Sequence, residues 1–155
     1  MKKTYLLLII SLFFISGCEN KEEVTKNEYL AMKNETFDEA NYINDYLPLD
    51  IIAYINRVGE EEIDYKVTLA NPQENMHNIK ALVVHNYYTE DVFPSIGVFD
   101  EVGELLIDNS NNSSLVLGDT IQTTTDISKL KLELKILIEY TNDNGEKKEI
   151  YYKTT

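Results

Sequence analysis

The stretch Leu130-Lys131-Leu132-Glu133-Leu134-Lys135-Ile136-Leu137-Ile138-Glu139-Tyr140 carries an apolar side chain at every even position. Lys131, Glu133, Lys135 and Glu139 fill the odd ones, and Leu137 is the single exception. A period of two is the signature of a strand with one face on a core and one face in water. Asn142-Asp143-Asn144-Gly145 follows as a strong turn signal, and Glu149 to Lys153 returns as the closing strand.

Working back toward the N-terminus, the same period begins after Leu49. Ile63, Tyr65, Val67 and Leu69 alternate with Asp64, Lys66 and Thr68, and Asn71-Pro72 ends that strand as a turn. Ile79 to His85 is apolar on both parities, which predicts a strand covered on both faces or central in a sandwich. Val92 to Asp100 and Glu104 to Asp108 flank Glu101-Val102-Gly103, read as a hairpin loop. Ser113 to Leu117 and Thr120 to Thr125 flank Gly118-Asp119 in the same manner. Seven to nine short strands at this spacing predict an all-β protein, an immunoglobulin-like antiparallel β-sandwich over residues 48–155. The middle and end also resemble the β-sandwich accessory domains of bacterial lipoproteins. The likeness rests on Ala70-Asn71-Pro72, a Leu117-Gly118-Asp119 corner, and the long alternating strand before Asn144-Gly145. The paired cysteines and Trp of an antibody-type domain are absent, since the chain has one Cys and no Trp.

The first 17 residues have another character. Lys2 and Lys3 precede an apolar run from Tyr5 to Ile15 broken only by Ser11, and the small residues Ser16 and Gly17 come next. This is the tripartite layout of a secretory signal. The run is shorter than the roughly 20 residues that cross a bilayer. No acid occurs before Glu19, so the positive end is expected to stay cytoplasmic while the rest is exported. Ile15-Ser16-Gly17-Cys18 resembles the lipobox of bacterial lipoproteins. The resemblance implies a diacylglyceryl group on the Cys18 thiol and cleavage before Cys18. The product would sit on the extracytoplasmic side of the cell membrane, held by lipid. Two acyl chains give stable attachment, each buried CH2 contributing about 0.8 kcal/mol. Cys18 is the only cysteine, so it has no disulfide partner in the chain.

Removing 17 of the 155 residues leaves 138, enough for one domain with a core. The signal takes two Lys and no acid with it, so the remainder carries 12 basic and 27 acidic side chains, a net charge of −15. That balance excludes nucleic acid, whose phosphates require Lys and Arg. It also disfavours a body lying flat on anionic lipid. Residues 18–47 are read as a lipid-anchored tether. Its polar stretch 19–35, compatible with some helix, would reach roughly 55 to 60 Å at full extension. Thr36-Phe37-Asp38-Glu39 has the form of a capping box, and Phe37, Ala40, Ile43 and Leu47 follow at helical spacing. Those features predict a short helix over 37–46, ending before Pro48.

Tests for chemistry return little. His77 and His85 are the only histidines. On a straight strand they share a face about 26 Å apart, too far to chelate one metal. His85 is expected at a strand end and His77 in a loop. No Ser lies in a Gly-x-Ser-x-Gly elbow, the six glycines are dispersed, and no cofactor motif is present. Asn142-Asp143-Asn144-Gly145-Glu146 lacks the first Asp and terminal Glu of a calcium loop at the required spacing. The pairs Tyr87-Tyr88 and Tyr151-Tyr152 are each expected to place one ring in the core and one outward.

Three functions are compatible with this reading. The first is a non-enzymatic binding or accessory module for an envelope protein partner. The second is a small-ligand-binding or sensory lipoprotein. The third, an enzyme, is disfavoured by the absence of any catalytic constellation. Cys18 is the one residue with a definite chemical role, with Ile15, Ser16 and Gly17 as its recognition sequence.

Overall fold

The computed structural model describes residues 21–39, 42, 46–107 and 114–154. The signal, the lipobox and Cys18 therefore lie outside the described residues. The elements are α1 (Lys21–Phe37), β1 (Asp50–Arg57), β2 (Glu62–Ala70), β3 (Met76–His85), β4 (Ser95–Ile96), β5 (Gly103–Leu105), β6 (Ser114–Gln122), a 3-10 turn (Ile127–Lys129), β7 (Leu134–Thr141) and β8 (Lys147–Lys153). The described protein is thus mostly β with one α-helix. Its eight strands form two antiparallel sheets, one ordered β1-β2-β6 and the other β4-β3-β7-β8 with β5 also on β3.

Alternation builds the space between the sheets. Tyr65, Val67 and Leu69 of β2 and Leu117 and Ile121 of β6 share one buried cluster with Ile79, Ala81 and Val83 of β3. Leu134, Ile136 and Ile138 of β7 and Ile150 of β8 complete it from the same faces. The turn after β7 behaves as its sequence demands: Gly145 takes a left-handed φ of 77° and donates its amide to Asn142 O at 2.9 Å.

The opposite face of the larger sheet is also covered, by the helix. Tyr29 and Met32 of α1 join Leu82, Val84 and Leu137 in a second buried cluster, closed by Phe93 and Val98. This explains the two anomalies of the sequence. β3 is apolar on both parities because Leu82 and Val84 face α1 while Ala81 and Val83 face β2 and β6. Leu137 breaks the alternation because it pairs with Leu82 on the helix side. The molecule is therefore three layers: helix, five-stranded sheet, three-stranded sheet.

Several expectations are corrected. The helix occupies the stretch read as a tether. Glu22 and Glu23 lie in its first turn, where they complement the helix dipole. Thr36 does not start a helix but sits in the last turn of one, its hydroxyl donating to Met32 O at 2.6 Å. Glu39, its expected capping partner, pairs instead with Lys135 and Lys153. Of the segment 37–46, residues 40, 41 and 43–45 lie outside the described residues. Gly118-Asp119 is not a corner but the middle of β6, which runs unbroken past β2. Most of 92–100 is irregular, only Ser95 and Ile96 pairing with β3. Leu130 to Glu133 precede β7 rather than opening it.

Candidate functional site

The outer face of the three-stranded sheet is the first place where apolar side chains meet water in an ordered array. Ile52 pairs with Thr68, which pairs with Val116; Tyr54 pairs with Lys66, which pairs with Gly118. Ile52, Tyr54 and Val116 are 55%, 60% and 54% exposed. A dent of about 330 Å³ lies beside Gly118, bordered by Asp64, Lys66, Val116 and Thr120. β1 is an edge strand of this sheet, and among the described residues no strand pairs with its outer side. The array was not read from the sequence. Its signal was available: Ile51-Ile52-Ala53-Tyr54-Ile55 is apolar on both parities, yet no second helix covers it among the described residues.

On the far side of the molecule, α1 borders a groove of about 750 Å³. Tyr29, Leu30, Val92 and Phe99 form its apolar lining, with Glu22 and Lys26 at the rim. Leu30, Val92 and Phe99 are largely exposed. Tyr29 is fixed by its hydroxyl, which accepts the Phe93 amide at 3.0 Å, and by its ring lying 5.2 Å from that of Phe99.

The histidines belong to neither surface. His77 is a strand residue, not a loop residue, followed by an irregularity at Asn78, whose φ is 51°. Its Nδ1 lies 2.7 Å from Glu104 and its Nε2 2.9 Å from Asp143, which also accepts from Asn75. With one carboxylate on each ring nitrogen, the imidazole clamps β5 and the β7–β8 turn onto β3. Among the described residues no group of His, Cys, Asp or Glu is arranged to hold a metal ion. Hydrogen bonding to Asp143, then to Glu104, raises the His77 pKa. His85 closes β3 as expected, buried with its ring edge-on to those of Tyr65 and Phe93. Burial lowers its pKa.

The two act on stability with opposite signs. His77 keeps its proton above the ordinary histidine value of 6.5, so its contribution is full below 6.5 and lost as pH rises through the raised value. His85 resists protonation, so its contribution is present above 6.5 and lost as pH falls below it. The Tm difference between the native chain and His77→Gln should therefore be largest near about pH 5–6 and shrink by about pH 8. Thermal melts across that range check this, and a pH-independent difference would refute the clamp.

The tyrosine pairs split unequally. Tyr87 packs toward the inter-sheet core and Tyr88 is 86% exposed, as expected. Tyr151 and Tyr152 are both partly covered, against the expectation of one outward ring, because α1 lies over the face that Tyr151 occupies. The Tyr151 hydroxyl donates to Glu35 of α1.

No protein-family model matches this chain, and no curated protein matches it. Among solved structures, the chain is similar to Spo0M, a sporulation control protein from Bacillus subtilis. That match has 14% identity and a TM-score of 0.29 over 70% of this chain and 49% of the other. The chain thus spans about half the length of that neighbour. A likeness of that degree fixes neither a fold family nor a function.

Proposed function

We propose that this chain is a lipid-anchored extracytoplasmic lipoprotein and acts as a non-enzymatic binding module for an envelope protein partner. Its body is, on this reading, an immunoglobulin-like sandwich whose outer sheet face receives the partner. The observation that carries the binding role is the exposed row of Ile52, Tyr54 and Val116 on the layer farthest from α1. Apolar side chains gathered on one exposed sheet face, here with Thr68 and Lys66 between them, are what a partner-binding face presents to solvent. The anchor is supported by Ile15-Ser16-Gly17-Cys18 and by the solitary thiol.

Replacing Ile52, Tyr54 and Val116 together by Thr keeps strand-forming residues while removing the apolar row. Crosslinking in intact cells should then lose the captured envelope protein while membrane attachment is unchanged. Capture equal to that of the native chain would sink the proposed face. Cys18→Ser is expected to do the reverse, releasing the protein from membranes or trapping its precursor. Undiminished attachment of Cys18→Ser would refute the anchor.

A further inference from the structure

We infer that the groove beside α1 is a second membrane contact, the surface on which the domain rests on the bilayer. The inference rests on the proposed lipid at Cys18 and goes beyond it by fixing which side of the domain meets the lipid. Three chain steps separate Cys18 from Lys21, the first residue of α1. They span at most roughly 11 Å. α1 itself is no free arm. Tyr29 and Met32 are buried on β3 and β7, Glu28 pairs with Lys80, and Glu35 receives the Tyr151 hydroxyl. A lipid on Cys18 would therefore hold the start of α1, and the domain rigidly joined to it, within headgroup reach.

Beside the polar first turns of α1 lies an apolar patch. Leu30, Val92 and Phe99 are exposed around the groove. The rim carries one acid and one base, Glu22 and Lys26, in a chain whose net charge is −13. An anchor plus a second, weaker apolar contact is the arrangement that gives stable and oriented attachment. Tethering makes even a weak contact effective, because the linker sets a high local concentration. The layer order then points Ile52, Tyr54 and Val116 away from the membrane, toward a partner in the envelope.

The chain has no Trp, so a single introduced one reports without background. Phe99→Trp, Leu30→Trp and, as the control on the opposite sheet, Tyr54→Trp are made in the full chain with its leader. Each is purified in detergent and reconstituted into phosphatidylcholine vesicles with brominated acyl chains, and the N-terminal peptide is weighed in the same sample. The expected result is a diacylglyceryl-modified Cys18 and quenching at positions 99 and 30 about twofold or more stronger than at 54. Equal quenching at all three positions on a lipidated chain overturns the inference and leaves the anchor standing. Blue-shifted but unquenched emission at 99 and 30 overturns it too, because the groove would then hold a second copy or another segment of the chain. An unmodified Cys18 overturns the anchor, and the inference with it.

Discussion

Leu137→Ala is expected to lower the free energy of unfolding by about 2–5 kcal/mol, the range for a fully buried leucine whose cavity cannot collapse. Leu137 is 0% exposed and stands at the centre of the cluster between β3, β7 and α1. That cluster is small. α1 contributes only Tyr29 and Met32 to it, supported by the Thr36 hydroxyl and by ion pairs from Glu28 to Lys80 and from Glu39 to Lys135 and Lys153. Partly exposed pairs of this kind contribute little individually. The helix therefore depends on the apolar contact that Leu137 supplies. Removing it should loosen α1 before the sandwich, exposing Lys26 and Lys33 to trypsin at denaturant concentrations where β7 is still protected. Ile138→Val, one residue along and facing the other cluster, should cost about 0.5–1.5 kcal/mol and leave the helix resistant. Equal trypsin sensitivity in the two variants would show that α1 is not held through Leu137.

The same residue marks how far the sequence could be read. The double parity of Ile79 to His85 allowed a strand covered on both faces or central in a sandwich, and Leu137 stood only as an exception to the alternation. Strands 62–70, 76–85, 134–141 and 147–153 lie within a few residues of where the pattern put them, because β2 has a wet face and a dry face to obey and β3 is apolar on both faces. α1 obeys no such pattern. Its buried contribution is confined to Tyr29, Met32 and Thr36, while its other large apolar residues, Val24, Leu30 and Phe37, are exposed. Tertiary contact holds a helix of that kind, and periodicity does not reveal it. Thr36 and Glu39 misled for a related reason, since capping residues are equally able to bond within a last turn or to a lysine on a neighbouring sheet.

The candidate surfaces were less legible than the core. Ile52, Tyr54, Leu30, Val92 and Phe99 are apolar residues whose meaning lies in being uncovered, and single-residue character does not tell covered from uncovered. His77 was placed in a loop because its carboxylate partners, Glu104 and Asp143, come from elements 27 and 66 residues away. The proposed role of Cys18 is the reverse case, since it rests on four adjacent residues of the sequence alone.

Gly118→Ala is expected to be nearly as damaging as Leu137→Ala, although it adds one methyl group to an exposed strand. A Cβ at position 118 would stand 2.4 Å from the Tyr65 carbonyl oxygen and 3.1 Å from Lys66 Cγ. The first neighbour is backbone and belongs to the central strand of its sheet, so it cannot swing aside as a long side chain would. Either β6 moves away from β2 or the Gly118 backbone twists. Both routes weaken the ladder between Ser114 and Gln122, which holds Leu117 and Ile121 in the core. Overpacking of this kind costs about 1–3 kcal/mol, and Gly118→Val should exceed it. The intrinsic preference acts the other way, since Ala is a better strand residue than Gly, so only the clash can make the variant less stable. Denaturant unfolding of Gly118→Ala beside Gly59→Ala makes the comparison clean, because a Cβ at Gly59 meets nothing within 4 Å. If Gly118→Ala proved as stable as Gly59→Ala, β6 would not run against β2 as a continuous strand, and the dent beside Tyr54 and Val116 would lose its basis.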